Sequence, residues 1–200
     1  MLDLETQTNL ETGVDGGRLA PRYADISFAK IPGAIRFLLG LNAASPLATI
    51  MAKGGVTPTG TKKVVLFLLD GFGYRQWTRY LHQHAYLRRF TEQGVVAPLT
   101  AVFPSTTAAA LTTIHTGLTP QEHGLPEWMV YFEELGRNIY TLPFTDIDPG
   151  SHGASLAPGV DPKVLFDGET FYEGLAKEGV PSYVFSHAGI IGTPSAQLLQ

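Results

Sequence analysis

The chain has 200 residues, with 14 Lys and Arg against 18 Asp and Glu, six His and no Cys. This length predicts about one domain with an appendage. Hydrophobic residues make up 44% and charged residues 16%, which argues against a wholly disordered chain and against a coiled coil. The net charge of −4 argues against a dedicated nucleic-acid binder, whose surface must be strongly basic. The lack of Cys excludes disulfides and thiolate metal sites, so any metal must be held by carboxylate, imidazole or hydroxyl groups.

No targeting signal is evident in the first residues. Residues 1–17 are polar and acidic, without the basic and apolar regions of a secretory signal. The longest apolar stretch, residues 34–51, is interrupted by Arg36, Asn42 and Pro46, which predicts two packed helices instead of a membrane span. We therefore expect a cytoplasmic protein without a membrane partner, and the sequence does not define its oligomeric state.

The first third of the chain predicts an appendage that precedes the main domain. Residues 1–22 are rich in Thr, Gly, Asp and Glu without periodicity, which predicts a flexible leader. Residues 23–61 predict a helical preamble, with a helix over 31–41, and a linker rich in Gly, Pro and Thr over 54–61. Residues 62–200 are then expected to belong to an α/β domain.

Six consecutive apolar residues, 64–69, predict a strand that is buried on both faces, as in the middle of a parallel sheet. Asp70 follows at the carboxyl end of this strand. Apolar residues recur at three- and four-residue steps over 75–90, which predicts an amphipathic helix that ends near Gly94. This part of the chain therefore predicts one strand–helix step.

The remaining elements repeat the strand–helix order. They are a strand over 95–103, a helix over 107–116 with Ser105 or Thr106 as its N-cap, two short paired strands over 129–132 and 138–142, a helix over 169–178 and a strand over 182–186. This order predicts the α/β class, with a mostly parallel sheet sandwiched between helices.

Asp70 is the first candidate functional residue. In open α/β sheets, ligands bind outside the carboxyl ends of the strands, where Asp70 is expected to lie. Its carboxylate is a ligand that divalent cations accept, and Gly71 lets the backbone turn beside it. An Asp-Gly pair after a strand also forms plain turns, so the pair alone does not decide between a metal ligand and a turn.

The second candidate is a run of hydroxyls, Ser105, Thr106 and Thr107, at the start of the 107–116 helix. A hydroxyl at a helix N-terminus lies among N–H groups that attract an anion such as phosphate, and a metal ion can activate it as a nucleophile. The same residue types are preferred as N-caps for structural reasons alone. His123, in the turn that follows, is interpreted as an ordinary turn histidine in preference to a metal ligand.

The order of these motifs resembles a known family. The apolar strand with Asp70-Gly71, then Phe103-Pro104-Ser105-Thr106-Thr107, Thr116-Gly117-Leu118 and Pro120-x-x-His123-Gly124, is similar to the N-terminal half of the type I phosphodiesterase/nucleotide pyrophosphatase family, within the alkaline phosphatase superfamily. The likeness is close over residues 62–128 and looser over 21–185. It implies an alkaline phosphatase-like fold that this chain contains only in part.

The resemblance implies roles for two residues. Asp70 matches a ligand of one of two divalent metal ions, usually zinc. Thr107 lies nine residues before the Thr116-Gly117 pair, as in the family, and matches the metal-bound hydroxyl nucleophile. Thr106 is the alternative nucleophile if the register shifts by one residue.

Three other positions match the family and one departs from it. Gly71 and Gly124 match structural glycines, and His123 matches a histidine that is better regarded as structural. Ala110 stands where many pyrophosphatase members have an Asn that helps to hold the phosphoryl oxygen. This departure leaves the subclass and the stabilisation of the transition state open.

The activity implied by the resemblance is metal-dependent hydrolysis of a phosphodiester or pyrophosphate bond in a small molecule or nucleotide, through a phospho-threonine intermediate. The other metal ligands of the family, an Asp-x-x-x-His pair, an Asp-His-Gly motif and a later His, lie C-terminal to the matching region. This chain has no Asp-His dipeptide, and although Asp148 and His152 have the first spacing, Pro and Gly between them predict a loop. We therefore expect an N-terminal portion of a longer enzyme.

Two alternatives stay open. One is a non-catalytic binding or structural module of the same fold that lacks the second half of the ligands. The other is a related activity, such as that of a phosphonate hydrolase or a phosphoglycerate mutase, whereas a sulfatase is disfavoured because its Cys/Ser-x-Pro-x-Arg motif is not found. Four aromatic residues after the motifs are expected to be packing residues in preference to a nucleobase-stacking surface: Trp128, Tyr131, Phe132 and Tyr140.

Overall fold

The computed structural model describes residues 1–14, 16–42, 44–56, 61–147 and 160–186. The chain divides into two compact units, Met1–Ala101 and Val102–Gln200. This division does not coincide with the boundaries after residues 22 and 61 that the sequence suggests, and those boundaries stay a prediction.

Helices form most of the regular structure. The first unit contains α1 (Leu4–Thr12), α2 (Ile31–Leu38), α3 (Ala48–Lys53), α4 (Tyr74–Tyr80) and α5 (Ala85–Gln93), with a 3-10 turn at Phe28–Lys30. The second contains α6 (Thr107–Thr116), α7 (Pro120–His123), α8 (Phe171–Lys177), 3-10 turns at Glu133–Leu135 and Pro162–Val164, and the strands β1 (Met129–Phe132), β2 (Arg137–Tyr140) and β3 (Thr145–Asp146). None of the helices in the described ranges combines the length and hydropathy that a membrane crossing needs.

The segment predicted as a flexible leader contains a helix, α1. Asp3 caps α1, because its carboxylate accepts hydrogen bonds from the Thr6 N–H at 3.3 Å and from the Thr6 hydroxyl at 2.6 Å. Lys53, at the end of α3, donates to Asp3 Oδ1 at 2.7 Å, and the Asp3 N–H donates to the Val96 carbonyl at 2.9 Å. The helix thus depends on contacts with residues far along the chain, which composition alone does not reveal.

Two helical predictions have different outcomes. The helix predicted over residues 31–41 is confirmed as α2, which ends at Leu38. The single helix predicted over residues 75–90 is wrong, because two helices, α4 and α5, take its place. Leu81 is only 6% exposed in the break between them, so the apolar periodicity continues across the break and does not reveal it.

Residues 64–69 form no regular element and pair with no strand in the described part of the chain. Val65, Phe67 and Leu69 are 73%, 78% and 63% exposed, so the predicted strand buried on both faces is not formed here. Such a strand needs a hydrogen-bonded neighbour on each edge and a packed layer on each face, and the described segments supply neither.

Two more of the five predicted strands, over residues 95–103 and 182–186, are also not formed. Residues 95–103 take part in two isolated parallel bridges, Leu2 with Val96 and Ser27 with Thr100, and form no continuous strand. Residues 182–186 carry no strand, and Tyr183 and Phe185 are largely exposed. An apolar, β-branched composition is therefore not enough to form a strand without a partner to pair with.

The second unit contains a three-stranded antiparallel sheet in the order β1-β2-β3. Its first two strands confirm the predicted pair, with Met129 opposite Tyr140 and Phe132 opposite Arg137. Alternate side chains of the sheet face a small core, which consists of Leu125, Phe132, Ile139, Phe144 and Leu165. The described residues thus combine helices with a small antiparallel sheet, which is consistent with the α/β class; the predicted mostly parallel sheet is not among the described strands.

Candidate functional site

Asp70 lies in an exposed turn directly after the apolar segment 64–69. Gly71 follows with a φ of 69°, in the left-handed region that glycine enters without strain. Gln76, in α4, closes the turn, because its Oε1 accepts from the Gly73 N–H at 3.2 Å and its Nε2 donates to the Gly71 carbonyl at 3.4 Å. The backbone that follows Asp70 is therefore tied to the first turn of α4.

Aromatic contacts join α4 to this turn and to α5. The Trp77 ring centroid lies 6.3 Å from that of Phe72 in the turn and 6.3 Å from that of Phe90 in α5. The Trp77 indole N–H also donates to Thr91 Oγ1 at 3.1 Å. These contacts connect the Asp70 turn to two helices of its own unit.

Helix α6 begins at Thr107 because Thr106 caps it. Thr106 has extended backbone, with φ −86° and ψ 156°, and its Oγ1 accepts from the Ala109 N–H at 3.2 Å. The helix ends where Gly117 enters the left-handed region at φ 77° and donates its N–H to the Thr113 carbonyl at 2.8 Å. The predicted helix over residues 107–116 is therefore confirmed, and Thr106, not Ser105, is its N-cap.

The two neighbouring threonines have different environments. Thr106 Oγ1 also donates to the Pro126 carbonyl at 2.9 Å, so its proton and a lone pair are both committed to backbone groups. Thr107 is half-buried at the first helical position, followed by Ala108 and Ala109, which are fully buried. The bonds of Thr106 are those of a structural cap, which argues against Thr106 as the reactive hydroxyl.

His123 is held in one orientation at the end of α7. Its Nδ1 accepts from the Leu125 N–H at 3.1 Å, so the ring proton lies on Nε2, which donates to Thr113 Oγ1 at 3.2 Å. The residue is only 5% exposed, and burial lowers its pKa to about 4. The hydrogen bond to the Ala109 backbone and the charge of Glu122 raise the pKa by smaller amounts. His123 is thus a neutral structural histidine, as the sequence suggests.

A half-buried histidine, His115, was not identified from the sequence. His115 Nδ1 lies 2.9 Å from the Tyr172 hydroxyl, and the contact joins α6 to α8. Burial lowers the pKa of His115 to about 4 and raises the pKa of Tyr172. No local motif indicates this pair, because its members are 57 residues apart in the chain.

The aromatic residues after the motifs divide between the two faces of the sheet. Phe132 is 7% exposed and belongs to the core, as expected of a packing residue. Tyr131 and Tyr140 are 60% and 37% exposed, and both lie on the opposite face with Met129. The expectation of packing therefore holds for Phe132 and not for Tyr131.

The residues suggested as metal ligands have suitable chemistry but do not complete a site. Asp70 and Thr107 carry oxygen donors that divalent cations bind, and they belong to different units, each of which is described by itself. Asp148 and His152 lie outside the described residues. Within the described ranges, no group of three or more His, Asp or Glu side chains is arranged to hold a metal ion.

Comparison with known proteins identifies the family. The family model "Type I phosphodiesterase / nucleotide pyrophosphatase" matches residues 64–193, which is more than half of the chain and includes the Asp70 turn and α6. No curated protein and no solved structure matches the chain significantly. The chain belongs to the type I phosphodiesterase/nucleotide pyrophosphatase family.

Proposed function

We propose that this chain carries the nucleophile of a metal-dependent phosphohydrolase that cleaves phosphodiester or pyrophosphate bonds in small molecules or nucleotides. Family membership supports phosphoester hydrolysis. The observation that carries the proposal is the position of Thr107 as the first residue of α6. The N–H groups of a helix's first turn have no partner within the helix and favour an anion such as the phosphate of the substrate.

The choice of Thr107 over Thr106 is supported by the hydrogen bonds of Thr106 to Ala109 and Pro126. In the proposed reaction, Thr107 Oγ1 forms a bond to phosphorus while the bond from phosphorus to the leaving oxygen breaks. The hydroxyl proton is transferred, in net terms, to the leaving group. Water then cleaves the phospho-threonine, which returns a proton to Thr107 and releases the phosphate product.

The proposal includes two divalent metal ions, zinc by family resemblance, with Asp70 and Thr107 among their ligands. When bound, such ions supply Lewis acidity that favours the alkoxide form of the nucleophile and neutralises charge on the phosphate. The Gly71 turn and the bonds from Gln76 restrain the backbone beside Asp70, which supports a fixed position for its carboxylate. Further ligands are required beyond these two.

The proposed fold is alkaline phosphatase-like, with residues 64–69 as an interior strand of a mostly parallel sheet. Its support is the exposure of consecutive apolar side chains in this segment, with Phe67 and Leu68 at 78% and 41%. Exposed apolar surface of this kind marks a place where other protein packs.

The test uses the complete gene product, assayed on bis(p-nitrophenyl) phosphate and on a dinucleotide pyrophosphate with and without added Zn²⁺. Thr107→Ala is expected to lower kcat by about 1000-fold or more, because it removes the attacking oxygen. Thr112→Val is the matched control, since the Thr112 hydroxyl donates to the Ala108 carbonyl of the same helix, at 2.8 Å. Rapid quenching followed by peptide mass spectrometry should locate a phosphoryl group on Thr107.

Two results contradict the proposal in different ways. Full activity of Thr107→Ala removes Thr107 as the nucleophile. No metal-dependent hydrolysis by the wild-type gene product favours the non-catalytic module instead.

A further inference from the structure

The hydroxyl of Thr106 does more than a helix cap requires. An N-cap needs only an acceptor, and Thr106 Oγ1 supplies one to the Ala109 N–H at 3.2 Å. Its proton is donated to the Pro126 carbonyl at 2.9 Å, twenty residues further along the chain. The start of α6 is thereby attached to the segment that follows α7.

That segment is itself fixed. Gly124 has a φ of 74° and donates its N–H to the Pro120 carbonyl at 3.1 Å. Leu125, next to Pro126, is 6% exposed, and its N–H donates to His123 Nδ1 at 3.1 Å. This turn therefore holds the Pro126 carbonyl within hydrogen-bond distance of Thr106.

A second hydrogen bond joins the same turn to the same side of α6. Thr113 Oγ1 lies 3.2 Å from His123 Nε2, and both residues are buried. Thr106 and Thr113 are seven residues apart, which is about two helical turns, or about 10 Å along the axis, so both lie on one face of the helix. Two separated attachments determine the position of a helix along its axis as well as its tilt.

We propose that Thr106 is a positioning residue, whose hydrogen bond to the Pro126 carbonyl holds the first turn of α6 and, with it, the Oγ1 of Thr107 for attack on the substrate. This inference rests on the proposed function. Nucleophilic attack depends on near-attack geometry, and a displacement of about 1 Å is enough to lower a rate by roughly 100-fold. Loss of the Pro126 bond removes the attachment nearest to Thr107.

If Thr106 were only an N-cap, its substitution would affect the protein as the substitution of another N-cap does. A second capping threonine in this unit provides that comparison. Thr170 caps α8, accepting from the Glu173 N–H at 3.2 Å, and is 6% exposed. The same substitution at Thr106 and at Thr170 removes the same capping hydroxyl. Only the substitution at Thr106 also removes the bond to Pro126.

The experiment compares Thr106→Val, Thr106→Gly, Thr106→Ser and Thr170→Val in the complete gene product. Thermal unfolding, kcat and KM on bis(p-nitrophenyl) phosphate are measured for each variant. We expect Thr106→Val and Thr106→Gly to lower kcat at least about tenfold, with KM changed less than threefold. Thr106→Ser keeps a hydroxyl and is expected to keep kcat within threefold of wild type. Thr170→Val is expected to lower Tm without lowering kcat in this way.

The outcomes separate this inference from the proposed function. If Thr107→Ala is inactive but the Val and Gly variants of Thr106 keep the kcat of Thr170→Val, Thr106 is only a cap and the inference is overturned. Gly is tolerated well at N-caps, so Thr106→Gly decides the matter even if Thr106→Val does not fold. Full activity of Thr107→Ala, or an inactive wild type, overturns both.

Discussion

Thr113 Oγ1 and His123 Nε2 form a buried hydrogen bond of 3.2 Å that joins α6 to the turn after it. Thr113 is fully buried and His123 is 5% exposed. Because the Leu125 N–H occupies Nδ1, the ring of His123 must be neutral with its proton on Nε2. The attachment of α6 to this turn thus depends on an uncharged histidine.

Replacing Thr113 by Val should destabilise the protein without changing side-chain volume much. The substitution removes the hydroxyl partner of the buried His123 Nε2 and leaves the Ala109 backbone as a remaining partner of the ring, so we expect a loss of about 0.5–1.5 kcal/mol of unfolding free energy, the worth of one hydrogen bond. Thr112→Val is the control, because Thr112 is partly exposed and its hydroxyl bonds a helix carbonyl, so a loss below about 0.5 kcal/mol is expected. Urea denaturation measures both; equal losses would show that the buried bond contributes nothing specific.

Stability should fall as the pH is lowered from about 6.5 to about 4. Burial lowers the pKa of both His115 and His123 to about 4, whereas an unfolded histidine titrates near about 6.5. In this window the unfolded chain binds more protons, so the free energy of unfolding rises with pH, by at most about 1.4 kcal/mol per pH unit for each histidine. Above about pH 6.5 these two residues add no further dependence. Denaturation at a series of pH values measures the slope.

Single substitutions show how much each histidine contributes to the dependence of stability on pH. His115→Gln and His123→Gln each remove one titrating ring, so each should remove about half of the histidine contribution to the slope between pH 4 and 6.5. A slope that persists unchanged in both variants would show that other groups cause the acid sensitivity.

Local sequence chemistry predicted much of the second unit. Thr106 as N-cap and Gly117 as a left-handed C-cap delimit α6 through bonds within a few residues. The β1–β2 hairpin is likewise local, with Gly136 at φ 62° between its strands. Such features need no knowledge of distant parts of the chain, which is why the helix over residues 107–116 and the pair of short strands were predictable.

Features that depend on distant partners were not predictable. Helix α1 is held by the bond between Asp3 and Lys53, fifty residues apart. Residues 64–69 have the composition of a strand, but a ladder requires a neighbour that composition does not specify. In the candidate site, resemblance to the family indicated Asp70 and Thr107, whereas the bond from Thr106 to Pro126 spans twenty residues and has no local signal.

The buried and exposed carboxylates that share Lys53 should differ in their effect on stability. Lys53 Nζ lies 2.7 Å from Asp3 Oδ1 and 2.8 Å from Glu5 Oε2, but the side chain of Asp3 is 2% exposed and that of Glu5 is 83% exposed. Burial raises the pKa of Asp3, and hydrogen bonds from Lys53 and Thr6 outweigh this effect, so the pKa lies below its usual value.

Asp3→Asn keeps a residue that caps helices well but removes the charge, so we expect Tm to fall by several degrees. Glu5→Gln breaks a solvated pair and should change Tm by less than about one degree. Calorimetry on both variants tests this order, and a larger loss in Glu5→Gln would contradict it.

Removal of the Asp70 carboxylate should weaken metal binding by the complete gene product. Asp70 is the one carboxylate of the described residues that the proposed site uses, and even loss of an outer partner of a metal ligand costs about 10–100-fold in affinity. Asp70→Asn is therefore expected to lower Zn²⁺ affinity and kcat by at least about 100-fold, while Tm measured without metal stays near that of wild type because the side chain is exposed. Asp161→Asn, another exposed carboxylate, is the control. Metal content after dialysis and activity during Zn²⁺ titration measure the effect; wild-type metal content in Asp70→Asn would remove Asp70 from the proposed ligands.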